Sequence, residues 1–266
     1  MSGYWQRRII KSQERLTKKN TKAVEKQLTK YYLQTMESVI KEFEATYDKI
    51  LLRKAEGKEI TPADLFRLDR YWKLQGQMRH ELDKLGNRQA ALMSKAFETN
   101  YFEVYYSFAL EGIEPFTTLD TAAAKQMINS IWCADGKSWS SRIWGNTKRL
   151  QDALNEKLIE CVVAGKKTKE LKLLLQEQFG VSYRRADTLV RTEMAHIQTE
   201  AAKKRYEDYG LEYYEILGNE DDSCGQHGVN CHDLHGKKFK YSEMRAGVNA
   251  PPFHPNCKCS IIPVIE

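Results

Sequence analysis

The 266-residue chain contains no apolar run approaching the roughly 18 residues of a membrane span. Its start, Met-Ser-Gly-Tyr-Trp-Gln-Arg-Arg, lacks the apolar stretch of a secretory signal. These absences predict a cytoplasmic protein with no membrane partner, in a compartment where disulfides are disfavoured. No internal repeat or low-complexity tract is visible. Glycine and proline are missing altogether from residues 11–54, so nothing there forces a turn. Lysine and arginine are missing from Phe97 to Phe108. The aromatics of that stretch (Phe97, Tyr101, Phe102, Tyr105, Phe108) are therefore read as a core-facing helix rather than a stacking surface for single-stranded nucleic acid. Hydrophobic residues at 41% and charged residues at 29% describe a globular chain with room for one large or two modest domains.

From about Lys11 to Lys54, apolar residues recur three or four apart: Leu16, Val24, Leu28, Tyr31, Met36, Val39, Phe43, Tyr47 and Ile50. That period predicts one long amphipathic helix. Gly57 breaks it, and Thr61-Pro62-Ala63-Asp64 has the form of a helix start, with a Thr cap and Pro at the first helical position. The second helix carries Leu65, Leu68, Trp72, Met78, Leu82 and Leu85, and a third runs from Leu92 to Phe108. Residues 1–112 are thus expected to form a helical hairpin or bundle. A short helix capped by Asp120 runs through Ala122, Met127, Ile128 and Ile131. The connection 113–146 then holds Trp132, Trp139 and Trp144, read as anchors within the chain, with a partner-docking role as the alternative. From Thr147 the helical period resumes to Gly165. Thr168 and Ser182 are expected to cap two more helices, the first ending at Gly180 and the second near Gly210. Leu211–Leu217 alternates like a strand, and Ser260–Ile265 offers a partner for it. The expected fold is mainly α, ending in a small zinc-stabilised α+β unit, with a C-terminal domain spanning 147–266.

Charge is concentrated at one end. Residues 1–30 hold nine Lys or Arg (Arg7, Arg8, Lys11, Arg15, Lys18, Lys19, Lys22, Lys26, Lys30) against Glu14 and Glu25, while the whole chain has a net charge of only +6. Such an arm attracts phosphate backbones or an acidic protein surface, and the plain alternative is a solvated helix face. Arg7, Arg8, Lys11, Arg15, Lys18, Lys19 and Lys22 are the candidate contacts for double-stranded DNA or a partner.

Between Cys224 and Cys259 lie eight of the twelve Cys and His residues of the chain. Thiolates with one or two imidazoles, delivered as pairs from separate turns, suit a closed tetrahedral zinc site. Cys224 and Cys231 would form one pair, with His227, His232 and His235 as alternatives. His254, Cys257 and Cys259 would supply the other. A disulfide, or reduced thiols in a small core, would leave the histidines without a shared purpose. Two short strands closed over one ion form too small a unit to be stable alone, and zinc would contribute on the order of 10 kcal/mol. Cys133 and Cys161 stand apart in apolar surroundings and are read as buried thiols. Arg191 and Glu193 lie two apart on a helix, so they face different ways and make no acid/base pair. Glu193 is expected to anchor the following loop, with His196 one turn on able to join it.

The Asp222-Ser-Cys224 start, the Leu234-His-Gly236-Lys turn and above all Pro251-Pro252-Phe253-His254-Pro255-Asn256-Cys257-Lys258-Cys259 resemble the C-terminal signature of the phage Mu F-like head-morphogenesis family. Arg191-Thr192-Glu193 fits the same pattern upstream. The resemblance covers about residues 145–263; it departs in a longer gap between the first two cysteines and in Lys258 where Arg is usual. It implies a minor head protein, associated with the portal, scaffold and coat proteins of the procapsid and able to touch packaged DNA. It also implies host cytoplasm during assembly and the virion head afterwards, with Arg191, Glu193 and Asp222 in a structural network and no catalytic residues. A zinc-dependent nuclease using His232, Asp233 and His235 is the alternative, since a catalytic zinc keeps an open position and needs a base. A zinc-containing DNA-binding regulator ranks below both, because no basic recognition helix adjoins the cluster.

Overall fold

Long helices dominate the computed structural model, which describes residues 3–56, 69–110, 113–218 and 231–265. Helix α1 runs from Gly3 to Ala55, 53 residues and about 80 Å at 1.5 Å per residue. Its continuity follows from the missing Gly and Pro, and Val24, Leu28, Val39, Phe43, Tyr47 and Ile50 are buried as the period requires. Leu16, Tyr31 and Met36 are only half-buried.

Helix α2 spans Asp69–Tyr106 without interruption, where two helices separated near residues 86–91 were expected. Gly86 is no stop signal: a Cβ there would lie 2.7 Å from the Trp144 ring, so the glycine lets an indole pack against helix backbone. The expected Thr61-Pro62 start, with Leu65 and Leu68, lies outside the described residues. Trp72, expected on the buried stripe, is 61% exposed.

Helix α3, Thr121–Ile128, begins where the Asp120 carboxylate accepts the N–H groups of Ala122 and Ala123 at 2.8 and 3.2 Å. It stops before Ile131. Helix α4 spans Trp139–Ala164, starting well before Thr147, and ends on Gly165 at φ +62°.

Helix α5 spans Thr168–Asp208 and passes through Gly180 and Ser182, which were expected to end one helix and cap another. A mid-helix glycine costs only about 1 kcal/mol. The buried residues on either side, Leu175, Phe179, Ala186 and Val190, outweigh that cost. Ser182 is buried too, sharing a hydrogen bond of 3.2 Å with the Tyr32 hydroxyl.

After α5 come three short strands in the order β2-β1-β3, with β1 at Tyr213–Leu217, β2 at Lys238–Lys240 and β3 at Ser260–Pro263. Both pairings are antiparallel; Glu215 faces Lys238 on one side and Ile262 on the other. The chain is thus mainly helical with a small C-terminal sheet.

The chain divides into two compact units built from separate stretches: Met1–Glu25, Leu92–Trp139 and Asp187–Glu266 in one, Lys26–Ala91 and Ser140–Ala186 in the other. The first holds the sheet and every candidate site from the cysteines to the basic residues up to Lys22. The second is helical among its described residues. Its core of Leu28, Phe43, Tyr47, Leu74, Met78, Leu82, Leu154, Leu158 and Leu175 follows helical spacing. The Tyr47 hydroxyl donates to the Cys161 and Lys166 carbonyls at 2.8 and 2.7 Å.

Candidate metal centre

Register in the sheet sets the position of the cysteines. Leu217 at the end of β1 pairs with Ser260 at the start of β3, so Cys259 arrives opposite Gly218. A 3₁₀ turn over Cys231–Leu234 approaches the same place from the other side: a Cβ on residue 218 would fall 2.8 Å from the Cys231 carbonyl oxygen. Only glycine fits there. The turn is fastened to β1 by the Gly236 N–H donating to the Ile216 carbonyl at 2.8 Å and the Gly218 N–H donating to His235 Nδ1 at 3.1 Å.

The result is a cluster of Cys231, Cys257 and Cys259, all buried, with their Sγ atoms within 4.8 Å of one another. None of the five described cysteines is in a disulfide. The Cys257 thiol is lowered to about 6, first by its hydrogen bond with the Cys259 side chain. Burial opposes that shift, while backbone hydrogen bonds at Phe253 and Cys259 and the charge of His254 add to it. A thiol so poised is ready to ligate as thiolate.

His254 is buried beside this loop, its Nδ1 2.9 Å from the Pro255 carbonyl oxygen. A carbonyl can only accept, so Nδ1 carries a proton and Nε2 is the nitrogen left to bind a metal. The donor set of three buried thiols with an adjacent imidazole fits a thiophilic, tetrahedral ion such as zinc. Cys224, His227 and Asp222 lie outside the described residues. His232, Asp233 and His235 are exposed, and among the described residues the cluster contains no histidine or carboxylate. Away from the cluster, Cys161 is buried, which pushes its thiol up, and Cys133 is only half-buried.

The Arg191-Thr192-Glu193 triplet ties α5 to three different segments. Arg191 forms ion pairs with Glu25 of α1 at 2.7 Å and with Asp187 at 3.0 Å. The Thr192 hydroxyl accepts the Asn256 N–H at 3.1 Å, joining the helix to the turn between His254 and Cys257. Glu193 is buried, and its Oε2 accepts the Trp132 indole N–H at 2.9 Å. His196 stacks on the same indole, centroids 4.4 Å apart, and burial lowers it to about 3, so it is neutral. Glu193 thus holds the preceding Trp segment, and Thr192 reaches the following loop. Thr192 and Gly218 escaped the sequence reading because their partners, Asn256 and Cys231, are distant in the chain. Trp139 also docks internally, donating to the Ile128 carbonyl at 3.2 Å and meeting Phe97 edge-on.

At the start of α1, Arg8, Lys11, Arg15, Lys18 and Lys22 are exposed at spacings of three and four, one stripe opposite the buried Gln13, Asn20 and Val24. It extends about 21 Å along the helix from Arg8 to Lys22. Lys19 lies at its edge, 3.5 Å from Glu103. Glu14 flanks the stripe with its carboxyl raised, by burial first, against the lowering effect of Lys11 and Lys18. The Arg7 side chain lies outside the described residues.

Residues 152–262 match the family described as Phage Mu protein F like protein. The matched region holds the three thiols, the Arg-Thr-Glu triplet and the whole sheet except its last residue. The match takes in all the residues on which the resemblance to the phage Mu F-like family rests, from Arg191 to Cys259. No curated protein and no solved structure matches the chain. Among the described residues, no helix is long and apolar enough to cross a membrane.

Proposed function

We propose that the chain is a minor head protein of a tailed phage that associates with the portal and the procapsid interior, among scaffold and coat proteins, and travels from the host cytoplasm into the virion head. The observation that carries this is the family match over residues 152–262, which encloses the cysteine cluster and the triplet that braces it. Zinc, held by Cys231, Cys257 and Cys259 with a fourth ligand from His254 or Cys224, serves here as a structural ion. Its role is to close a sheet of three short strands that is marginal alone. A nuclease would need a water position and a base at the ion. The exposure of His232, Asp233 and His235 favours the structural reading.

The test is co-expression with portal, scaffold and coat proteins of the same genome, followed by purification of particles and a count of copies and bound zinc. A few copies per particle, lost when portal is omitted, are expected. Particles without the protein would overturn the reading and make metal-dependent nuclease assays the next step.

The stripe on α1 supports a contact with double-stranded DNA. Its five cations share one face that Glu14 only flanks, so the face offers net positive charge. Replacing Lys11, Arg15, Lys18 and Lys22 by Gln is expected to flatten the salt dependence of DNA binding by about 3 to 4 in log–log slope. The substitutions leave in place the buried bond of 3.0 Å from Gln13 to the Tyr206 hydroxyl. An unchanged slope would assign the stripe to solubility or protein docking.

A further inference from the structure

We propose that Thr192 sets the metal affinity of the three-thiol cluster by holding the turn that presents Cys257. The inference rests on the zinc reading above.

Asn256, between His254 and Cys257, has φ +61°, the left-handed region that side-chain-bearing residues rarely occupy. Two hydrogen bonds fix it there. The Cys257 N–H donates to the His254 carbonyl at 3.1 Å, and the Asn256 N–H donates to Thr192 Oγ1, also at 3.1 Å. The direction of the second bond is determined, because the Thr192 hydroxyl gives its own proton to the Thr188 carbonyl at 2.7 Å. Its oxygen therefore faces the turn as an acceptor, mounted on helix α5.

Asn256 is exposed, so water can replace Thr192 as a partner for the N–H. What water cannot replace is position. Without the hydroxyl, the turn is free to leave the left-handed region, and Cys257 Sγ then departs from Cys231 and Cys259. Residues that orient metal ligands typically change affinity by about 10–100-fold when lost. Thr192 is a positioning residue of this kind, and it gives the Arg-Thr-Glu triplet a direct link to the cysteine signature 64 residues later.

The experiment uses the full chain and competes zinc between the protein and a chromophoric chelator, with helical content followed in parallel. Thr192→Val, which keeps shape and removes the hydroxyl, is expected to lower affinity about 10-fold or more, and Thr192→Ser to restore it to within about 3-fold. Thr199→Val removes a hydroxyl that bonds back to its own helix, at the Ala195 carbonyl, and is expected to leave affinity unchanged. Asn256→Val strains the same turn without touching α5 and is expected to weaken binding like Thr192→Val, which keeps the test decisive if the latter folds poorly. Normal affinity in both Thr192→Val and Asn256→Val, or equal losses in Thr192→Val and Thr199→Val, would overturn the proposal while leaving the zinc site standing. Wild-type protein that binds no zinc would overturn the zinc reading itself, and the proposal with it.

Discussion

The two compact units are held together by different means. The helical unit of Lys26–Ala91 and Ser140–Ala186 rests on repeated apolar contacts. Phe43, Leu74, Leu82, Leu154 and Leu175 recur at helical spacing and are buried, and each contributes a share that its neighbours resemble. The unit containing the sheet rests on a few unlike contacts: three thiols, an Asn in a left-handed turn, an indole on a carboxylate, a glycine against a carbonyl. Repetition makes the first unit tolerant of change. The second depends on single residues, and all of those residues except Trp132 lie within the stretch 152–262 that matches a family.

The largest expected effect separates the two units directly. On the proposed zinc reading, chelating the metal, or replacing Cys257 or Cys259 by Ser, should remove a contribution on the order of 10 kcal/mol from the sheet. Hydrogen exchange should then rise over Tyr213–Leu217 and Ser260–Pro263, while Leu74–Leu85 stays protected. Full zinc retention in both serine variants would dismantle the comparison. Next in size, Phe43→Ala should destabilise the helical unit by about 3–5 kcal/mol, because a fully buried ring leaves a cavity. Zinc content measured by mass spectrometry should not change, and a parallel loss of zinc would show that the units are not separately held. The smallest effect sharpens the account of the sheet-bearing unit. Glu193→Leu should cost about 1–3 kcal/mol by stranding the Trp132 N–H, whereas Glu193→Gln, which keeps an acceptor oxygen, should cost less than about 1.5 kcal/mol. Equal losses in urea melts of the two variants would mean that the charge of Glu193, not its acceptor, matters.

Features whose cause is local were legible in the sequence. The α1 period, the Asp120 cap, the Gly165 stop and the pairing of 213–217 with 260–263 follow from residues near one another or from a simple alternation. Gly180 was misread as punctuation because a mid-helix glycine costs only about 1 kcal/mol and the buried Leu175, Phe179, Ala186 and Val190 on either side outweigh it. Strand β2 was missed because three residues, Lys238-Phe239-Lys240, carry too little pattern, and β1 imposes the conformation on them. At the metal centre, ligand chemistry pointed to the cysteines. The residues that arrange them, Gly218, Thr192 and Asn256, are ordinary in sequence and acquire meaning only through partners across the fold.

The seat of Cys231 against Gly218 also bears on how such chains diverge. Its location is defined by the end of β1. That of Cys259 is defined by β3, and a single residue gained or lost between Cys259 and Ile262 shifts the register. The shift turns alternate side chains of β3 to the other face of the sheet and carries Cys259 away from Cys231 and Cys257. Lineages carrying this signature should keep strict count between Cys259 and Ile262.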